Sequence, residues 1–442
     1  MIPRRRPQPP LRRLDSRMSR RGLLGAGVLA GVLAASGVPL QARTRGGVLR
    51  LGLSRPLPEG DWSLAPAVLA QGAVYDTLLE IGPTGELVGE LARAWETDAA
   101  ARRWLLSLRA DAVFHDGTPL RAADVLASLA RHRQGPAAWA LGTVERIEPQ
   151  GRGAVLVTLR EGDPDFPFLL ADPRLIVGPE GRFDGTGTGL YRVAEAQEPE
   201  RLRLDRVAAH WKDGRAGWFD ALEAVSLPDP ADRLDALLAG EVDVVDLLPP
   251  DLVRVASEAG LAVTAVQGNR QLHASLPPGV EPALAGLLPR AVDRGAVAAA
   301  WDGLPAADHP LGPLHPALAP LPVPSFDAQA AASLGVAPVL TAWEGRPTEA
   351  ATFEKALAGP WAVLRDEPTL LAHLRAARAT EGAERASHYA EAQALCARAA
   401  PVLVAAHVPA VTVHARHLAH GAAVSALAPL DGARLVERWW FA

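Results

Sequence analysis

Apolar and polar residues alternate in short runs through the first half of the chain, and recur every three to four positions through its last third. The alternation predicts a strand over 47–53, broken by Pro56 and Pro58, and strands over 104–109, 154–159, 190–194, 201–204 and 224–227. Helical spacing predicts a helix over 68–80, with Tyr75, Leu78 and Leu79 on its apolar side, and another over 122–133. Residues 113–117 read as a strand entering a tight turn in which Gly117 permits positive φ. A helix over 231–239 runs into an alternating strand over 240–246. Residues 305–324 are proline-rich and read as an ordered crossover or surface loop, and helices follow over 352–358, 369–379 and 384–399, the last stopped by Pro401. Strands and helices mix without a regular βαβ repeat, which argues for an α/β chain that is not one doubly wound domain.

The N-terminus changes the picture. Ser19, Arg20, Arg21, Leu23 and Leu24 precede an apolar stretch ending at Ala35. At about 14 residues it is too short for a membrane span and suits the core of a signal peptide. Paired arginines there look like the address of the twin-arginine export system, with cleavage near Ala42 and a soluble, periplasmic product. Residues 1–42 hold eight Arg and one Asp, so their removal takes the net charge from −5 to about −12 over 400 residues. An acidic exported protein is a poor partner for nucleic acid or anionic membranes. The lone Cys396 excludes an internal disulfide and reads as a buried small hydrophobe. Two lysines stand against 43 arginines, a bias attributed here to genome composition.

Seven stretches in order carry a family resemblance: Val74-Tyr75-Asp76-Thr77-Leu78; Leu91-Ala92-Arg93-Ala94-Trp95-Glu96; Leu108-Arg109 with Val113-Phe114-His115-Asp116-Gly117; Ala123-Asp124-Val125; Gly187-Thr188-Gly189-Leu190-Tyr191; Gly240-Glu241-Val242-Asp243; and Ala291-Val292-Asp293-Arg294. Together they resemble the solute-binding proteins of peptide, oligopeptide and nickel ABC importers, family 5, over nearly all of 46–310 and again over 384–442. The resemblance implies a two-lobed α/β periplasmic-binding-protein fold, of type II and the peptide/nickel cluster, closing on its ligand like a hinge. Lobe I is expected over 43–266, with 401–442 returning to it, and lobe II over 267–400. The second lobe, of about 134 residues, is short for the family, which disfavours large substrates. Arg121 stands where relatives place a Ser or Thr helix cap, so Asp124 or water is expected to serve that helix start.

Other motifs have plainer readings. His115-Asp116-Gly117 shapes a turn. Asp243 and Asp246, three apart on a strand, face opposite ways and are no acid–base pair. Gly185-Thr186-Gly187-Thr188-Gly189 lacks the following Lys-Ser/Thr of a phosphate loop. His407, His414, His417 and His420 are good ligand types, but their strand-like setting disfavours a specific metal site. No Gly-x-Ser-x-Gly, Ser-x-x-Lys or His-Glu-x-x-His motif supports an exported hydrolase.

Alignment with the nickel-chelate-binding members places Trp139 and Arg174 at ligand-contacting positions, and the segment around Trp361 resembles the family's hinge-side Trp segment. Arg offers a donor fork to a carboxylate, and Trp supplies an apolar wall. Arg270, at the crossing into lobe II, and Arg55, after the first strand, are further polar candidates. Where dipeptide-binding relatives carry an amine-anchoring Asp, this chain has Leu364, with Asp366 two residues on. The resemblance implies a monomeric receptor without cofactor or metal of its own. It would take a small peptide or similar carboxylate-bearing solute and deliver it to an inner-membrane ABC permease, with a nickel-chelate or metallophore receptor as the alternative.

Overall fold

The computed structural model describes residues 12–13, 43, 45–197, 201–399 and 402–442. The twin arginines, the apolar run after them and the expected cleavage point lie outside the described residues. No described helix is long and apolar enough to cross a membrane.

The elements that position the site are β1 (Val48–Leu53), β2 (Ala92–Thr97), β3 (Arg103–Leu108), α1 (Ala122–His132), β4 (Val144–Pro149), β5 (Ala154–Leu159), β6 (Tyr191–Gln197), β7 (Arg201–Arg206), β8 (Ala221–Ser226), α2 (Pro230–Leu238), β9 (Val244–Val245), β10 (Ala262–Ser275), β11 (Val339–Glu344), α3 (Glu349–Ala358), α4 (Pro368–Ala379), α5 (Gly382–Ala399) and β12 (Leu403–His414). The largest sheet has the order β11-β10-β12-β9-β1-β8-β7-β6. In it β1 runs parallel to β8 and β9, and the other neighbours are antiparallel. A second, antiparallel sheet has β2-β3-β5-β4, on which α1 buries Val125 and Leu129. At the start of α1 the Arg121 amide donates to Asp124 Oδ2 at 2.9 Å, as expected of a helix without a Ser or Thr cap.

Two sequence expectations are corrected. The helix expected over 68–80 ends at Val74, its last turn widened so that the Tyr75 amide donates to the Ala70 carbonyl at 2.8 Å, and 79–81 form a short strand. The cause is the glycine-rich segment: the Gly189 amide takes the Val74 carbonyl at 2.9 Å, and a Cβ on Gly187 would lie 1.9 Å from that same oxygen. These glycines serve close backbone packing. The strand expected over 240–246 is reduced to β9, and its acids go separate ways. Asp243 binds the Arg50 amide and guanidinium at 2.8 and 2.7 Å, and Asp246 accepts from the amide and hydroxyl of Ser54 at 2.8 and 2.9 Å.

Two long strands, β10 and β12, run between two separately packed bodies. Two apolar clusters draw only on residues from Leu272 to Val408, and the other three draw on residues outside that range apart from Ala351. The β10–β12 register runs from Ala262↔His414 to Val266↔Ala410, then resumes at Arg270↔Val408. Residues 267–269 thus stand opposite Pro409 alone, and proline has no N–H to give a ladder. The bulge is packed tightly: a Cβ on Gly268 would sit 2.1 Å from the Ala426 carbonyl, and the Gly345 amide donates to the Asn269 carbonyl at 3.0 Å. His309 and His407 are buried beside this crossing, and burial pushes them down to about 4 and about 3. Unfolding restores an ordinary histidine near 6.5, so the unfolded chain binds more protons between those values and stability falls as pH drops from about 6.5 towards 4. Urea titrations at pH 7 and 5 should show losses approaching about 1.4 kcal/mol per pH unit for each such histidine, and His407→Gln should reduce that slope.

The first body is tied together by buried charge. Lys212 Nζ lies 2.8, 2.6 and 2.7 Å from Asp76, Glu90 and Glu437, and Arg434 grips Glu90 with both terminal nitrogens at 2.6 and 2.8 Å. Arg438 extends the network to Glu80 and Asp431. Burial would raise Glu90, but Arg434 and Lys212 overcome it and hold its carboxyl well below the usual range. Removing the ammonium leaves Asp76 buried with no ammonium or guanidinium of the described residues beside it, and Glu90 and Glu437 sharing the Arg434 guanidinium. Lys212→Met should therefore cost about 3–5 kcal/mol in urea denaturation, while exposed Arg254→Met should stay within about 0.5 kcal/mol.

Candidate functional site

A cavity of about 370 Å³ lies where the two bodies face one another, at the small end of the range for small-molecule sites. From the first body it is lined by Arg55, Trp62, Trp139, Phe168, Asp172, Arg174 and residues of 427–434, and from the second by Glu344, Arg346, Ala351 and Lys355.

Each side chain is placed by its local fold. Arg55 leaves the end of β1, where Ser54 is fixed on Asp246 and the Arg55 carbonyl accepts from Ser226 Oγ at 3.2 Å. Trp139 sits in the turn Ala138–Leu141 after α1, half-buried, with its Nε1 enclosed and without a partner. Asp172 is buried, and its Oδ1 caps the turn by accepting the Arg174 amide at 3.0 Å. That leaves the Arg174 guanidinium exposed, with one weak contact to the Pro136 carbonyl at 3.4 Å.

Across the cavity, Arg346 forms an ion pair with Asp172 that bridges the bodies, and its guanidinium stands 5.5 Å from the Trp139 ring centre. Its backbone is held from behind: the Arg346 amide donates to Thr352 Oγ1 at 2.8 Å, and its carbonyl accepts from His315 at 2.9 Å. Lys355, on α3, lays its ammonium 4.8 Å over the Trp343 ring and donates to the Glu344 carbonyl at 2.5 Å. Outside the cavity Arg385 meets Asp165 at 2.5 Å and Arg375 meets Glu161 at 3.5 Å, so charge pairs also face one another along the rim.

The structure brings three of the five sequence candidates together: Arg55, Trp139 and Arg174 all line the cavity. Arg270 is buried one layer behind, opposite Glu344 in the β10–β11 register, with its Nε 3.7 Å from Glu344 Oε1. Burial pushes its pKa down against that pairing. Trp361 is fully buried in the second body's core, edge-on to Trp343 at 5.7 Å and to His273 at 5.3 Å, and does not line the cavity. Sequence reasoning missed Arg346, Glu344 and Lys355. The scarcity of lysine was the available signal for the last.

The histidines of the β12 region do not gather. His414 and His420 both approach Thr264 Oγ1, at 3.1 and 3.4 Å, while His417 turns to Asp243. Among the described residues, the group whose spacing could hold a metal is Asp76, Glu90 and Glu437, and the Lys212 ammonium already occupies its centre.

Comparison with known proteins agrees with this architecture. Residues 86–302 match the model of the bacterial extracellular solute-binding proteins, family 5 Middle. The chain is 26% identical over 212 residues to a probable D,D-dipeptide-binding periplasmic protein of Escherichia coli (strain K12), covering 44% of this chain and 40% of that protein. It is 28% identical over 157 residues to an uncharacterized protein of Bacillus subtilis (strain 168), covering 34% and 27%. The chain thus spans less than half the length of the curated relatives it matches. Among solved structures, it superposes on a dipeptide binding protein from Pseudoalteromonas sp. SM9913 in complex with Met-Leu, with TM-score 0.74, 17% identity and 90% and 100% of the two chains covered. A Helicobacter pylori periplasmic binding protein in complex with the peptide STSA gives 0.74, 15%, 90% and 98%. A Staphylococcus aureus protein in complex with Ni(L-His)2 gives 0.72, 13%, 88% and 98%. The fold is the two-lobed α/β fold of periplasmic binding proteins of the peptide/nickel cluster. Over residues 86–302 the chain thus carries the family 5 segment of the bacterial extracellular solute-binding proteins, within a fold of that cluster.

Proposed function

We propose that this protein is the periplasmic solute-capturing component of an ABC importer, exported through a twin-arginine leader over 1–42 and working as a monomer. Its lobes are 43–266 with 409–442, and 267–408: the return expected at 401 comes later, because Leu403, Val404, Ala405, Ala406 and Val408 pack in the second body's cores. They close on a small carboxylate-bearing solute such as a short peptide and present it to an inner-membrane permease. The observation that carries this reading is the cavity between two separately packed bodies, lined from both and spanned by a pair of strands that can bend. Capture and release need no covalent step and no cofactor, only a ligand that prefers the closed arrangement.

A nickel-chelate receptor is the second reading, favoured by Trp139 and Arg174 sharing one wall, since indole faces and guanidinium donors suit a planar, carboxylate-bearing chelate. Thermal shift of residues 43–442 against dipeptides, tripeptides, small dicarboxylates, and nickel with histidine or citrate separates the two. Peptides or dicarboxylates without metal should raise the midpoint. A rise only with metal and chelator together gives the second reading, and a silent panel overturns both. In the hit complex, Arg174→Ala should weaken binding by about 1.5–3 kcal/mol through loss of a charged hydrogen bond, read by calorimetry. Unchanged affinity removes Arg174 from the site.

A further inference from the structure

The acids that line the cavity are already engaged, whereas several of its cations are not. Asp172 is held by Arg346 and by the Arg174 amide, Asp246 by Ser54 and Arg233, and Glu344 faces Arg270. Of the lining cations, Arg434 is consumed by Glu90 and Glu437. Among the described residues, Arg55, Arg174 and Lys355 have no acid within ion-pair distance: the Arg174 guanidinium and the Lys355 ammonium each meet one backbone carbonyl. Arg346, though paired, keeps an enclosed Nε without an acceptor. An empty cleft of this kind carries uncompensated positive charge on both walls.

Lysine usage supports a specific role for one of these cations. Wherever this chain puts a cation on its surface it uses arginine, and its two lysines are both enclosed: Lys212 at the centre of a three-carboxylate cage, and Lys355 half-buried in the cleft. An ammonium is a compact point charge whose donors point several ways, which a planar guanidinium cannot copy in an enclosed corner. The cage around Lys212 is complete. That around Lys355 has the Trp343 face and the Glu344 carbonyl on the protein side and open cavity on the other.

We propose that the cleft selects a small solute bearing at least two anionic groups and no free ammonium, one anion being received by Lys355 on the second body and another by Arg174 and Arg55 on the first. This rests on the receptor reading above and names its ligand class. Each anion neutralises charge contributed by a different body, so binding itself draws the bodies together. A zwitterionic dipeptide brings an ammonium for which the cleft, among the described residues, holds no carboxylate without an arginine already facing it.

The groups facing Lys355 are Glu344 and Arg346 at the end of β11, Asp172 and Arg174 from the opposite wall, and His273 on β10. Burial first and Arg346 second push its ammonium down to about 7, against the pull of Glu344 and Asp172. An anion placed beside it reverses that shift. Above pH 7 the ligand must therefore arrive with a proton, and affinity should fall by up to about tenfold per pH unit.

Calorimetry on residues 43–442 tests this with glutarate, citrate and N-acetyl-aspartylglutamate as anionic probes, and with alanylalanine and lysylalanine as zwitterionic and cationic ones. At least one anionic probe should bind tenfold or more tighter than either peptide. At pH 8 its binding heat should differ between Tris and HEPES by an amount corresponding to uptake of nearly one proton. Lys355→Met, which keeps the stem on Trp343, should weaken that probe tenfold or more and abolish the uptake. The uptake is read on the unaltered protein, so the proposal stays exposed even if the variant does not fold. Equal or tighter binding of the peptides, or anion binding without proton uptake, overturns this inference and leaves the receptor reading standing. Silence of these probes, and of the peptides and chelates named before, overturns both.

Discussion

The two bodies are joined by β10 and β12, and the bulge at Pro409 is the constraint on which the site depends. Three residues face one that has no N–H, so the ladder is interrupted between stretches of regular pairing. A continuous ladder would lock the bodies at one angle, and a flexible linker would leave no defined angle. Two strands with one interrupted step allow bending about a fixed place. The same step supports the cavity wall, because Asn269 in the bulge packs against Gly312 and Gly345, and Arg346 begins one residue later.

Charge is used differently in the two places where it is dense. In the first body the ions are buried and mutually saturated, so Arg434 lines the cavity with its guanidinium spent on Glu90 and Glu437, a fixed wall more than a recognition group. Between the bodies, Arg346 with Asp172, Arg385 with Asp165 and Arg375 with Glu161 hold opposite charges on opposite sides. Pairs of that kind contribute little to folding when exposed, but each exists only while the bodies face one another. They hold the bodies face to face without entering the core of either.

What could be read in the sequence follows the range of the interactions. Periodicity located β1, α1, α2 and the run from α3 to α5 to within a few residues, because burial of one face dictates it locally. It failed at 68–80, where the spacing is helical but the Val74 carbonyl is claimed by Gly189, over a hundred residues away. Arg55, Trp139 and Arg174 were found through one-sided cues: an arginine at a strand end, and a Trp and an Arg at family positions. Trp361 carried the same kind of cue, yet its segment folds back under Trp343, and only packing decides which indole of that pair stands nearer the cleft. Arg346 and Lys355 have no local signature, since one is defined by a carboxylate in the other body and the other by the carbonyl it bends back to reach. Composition held a trace of Lys355 in the rarity of lysine, which was read as a genomic habit.

The buried network also fixes an order of assembly. Arg434 meets Glu90 across 344 positions and Lys212 meets Glu437 across 225, so the body begun by the first strands is completed by nearly the last residues. The second body, by contrast, draws its cores from a continuous stretch ending at Val408. As the chain is made, the later-synthesised body can close while the earlier one has Lys212 but still lacks Arg434 for Glu90 and Glu437 for Lys212. Uncompensated carboxylates cannot be buried cheaply, so the first body waits in an unfinished state, with apolar surface exposed, until the C-terminal segment docks. A topology that closes one body with segments made before and after the whole of the other thus makes the earlier-made part late to mature, and that interval is when it most needs protection from aggregation.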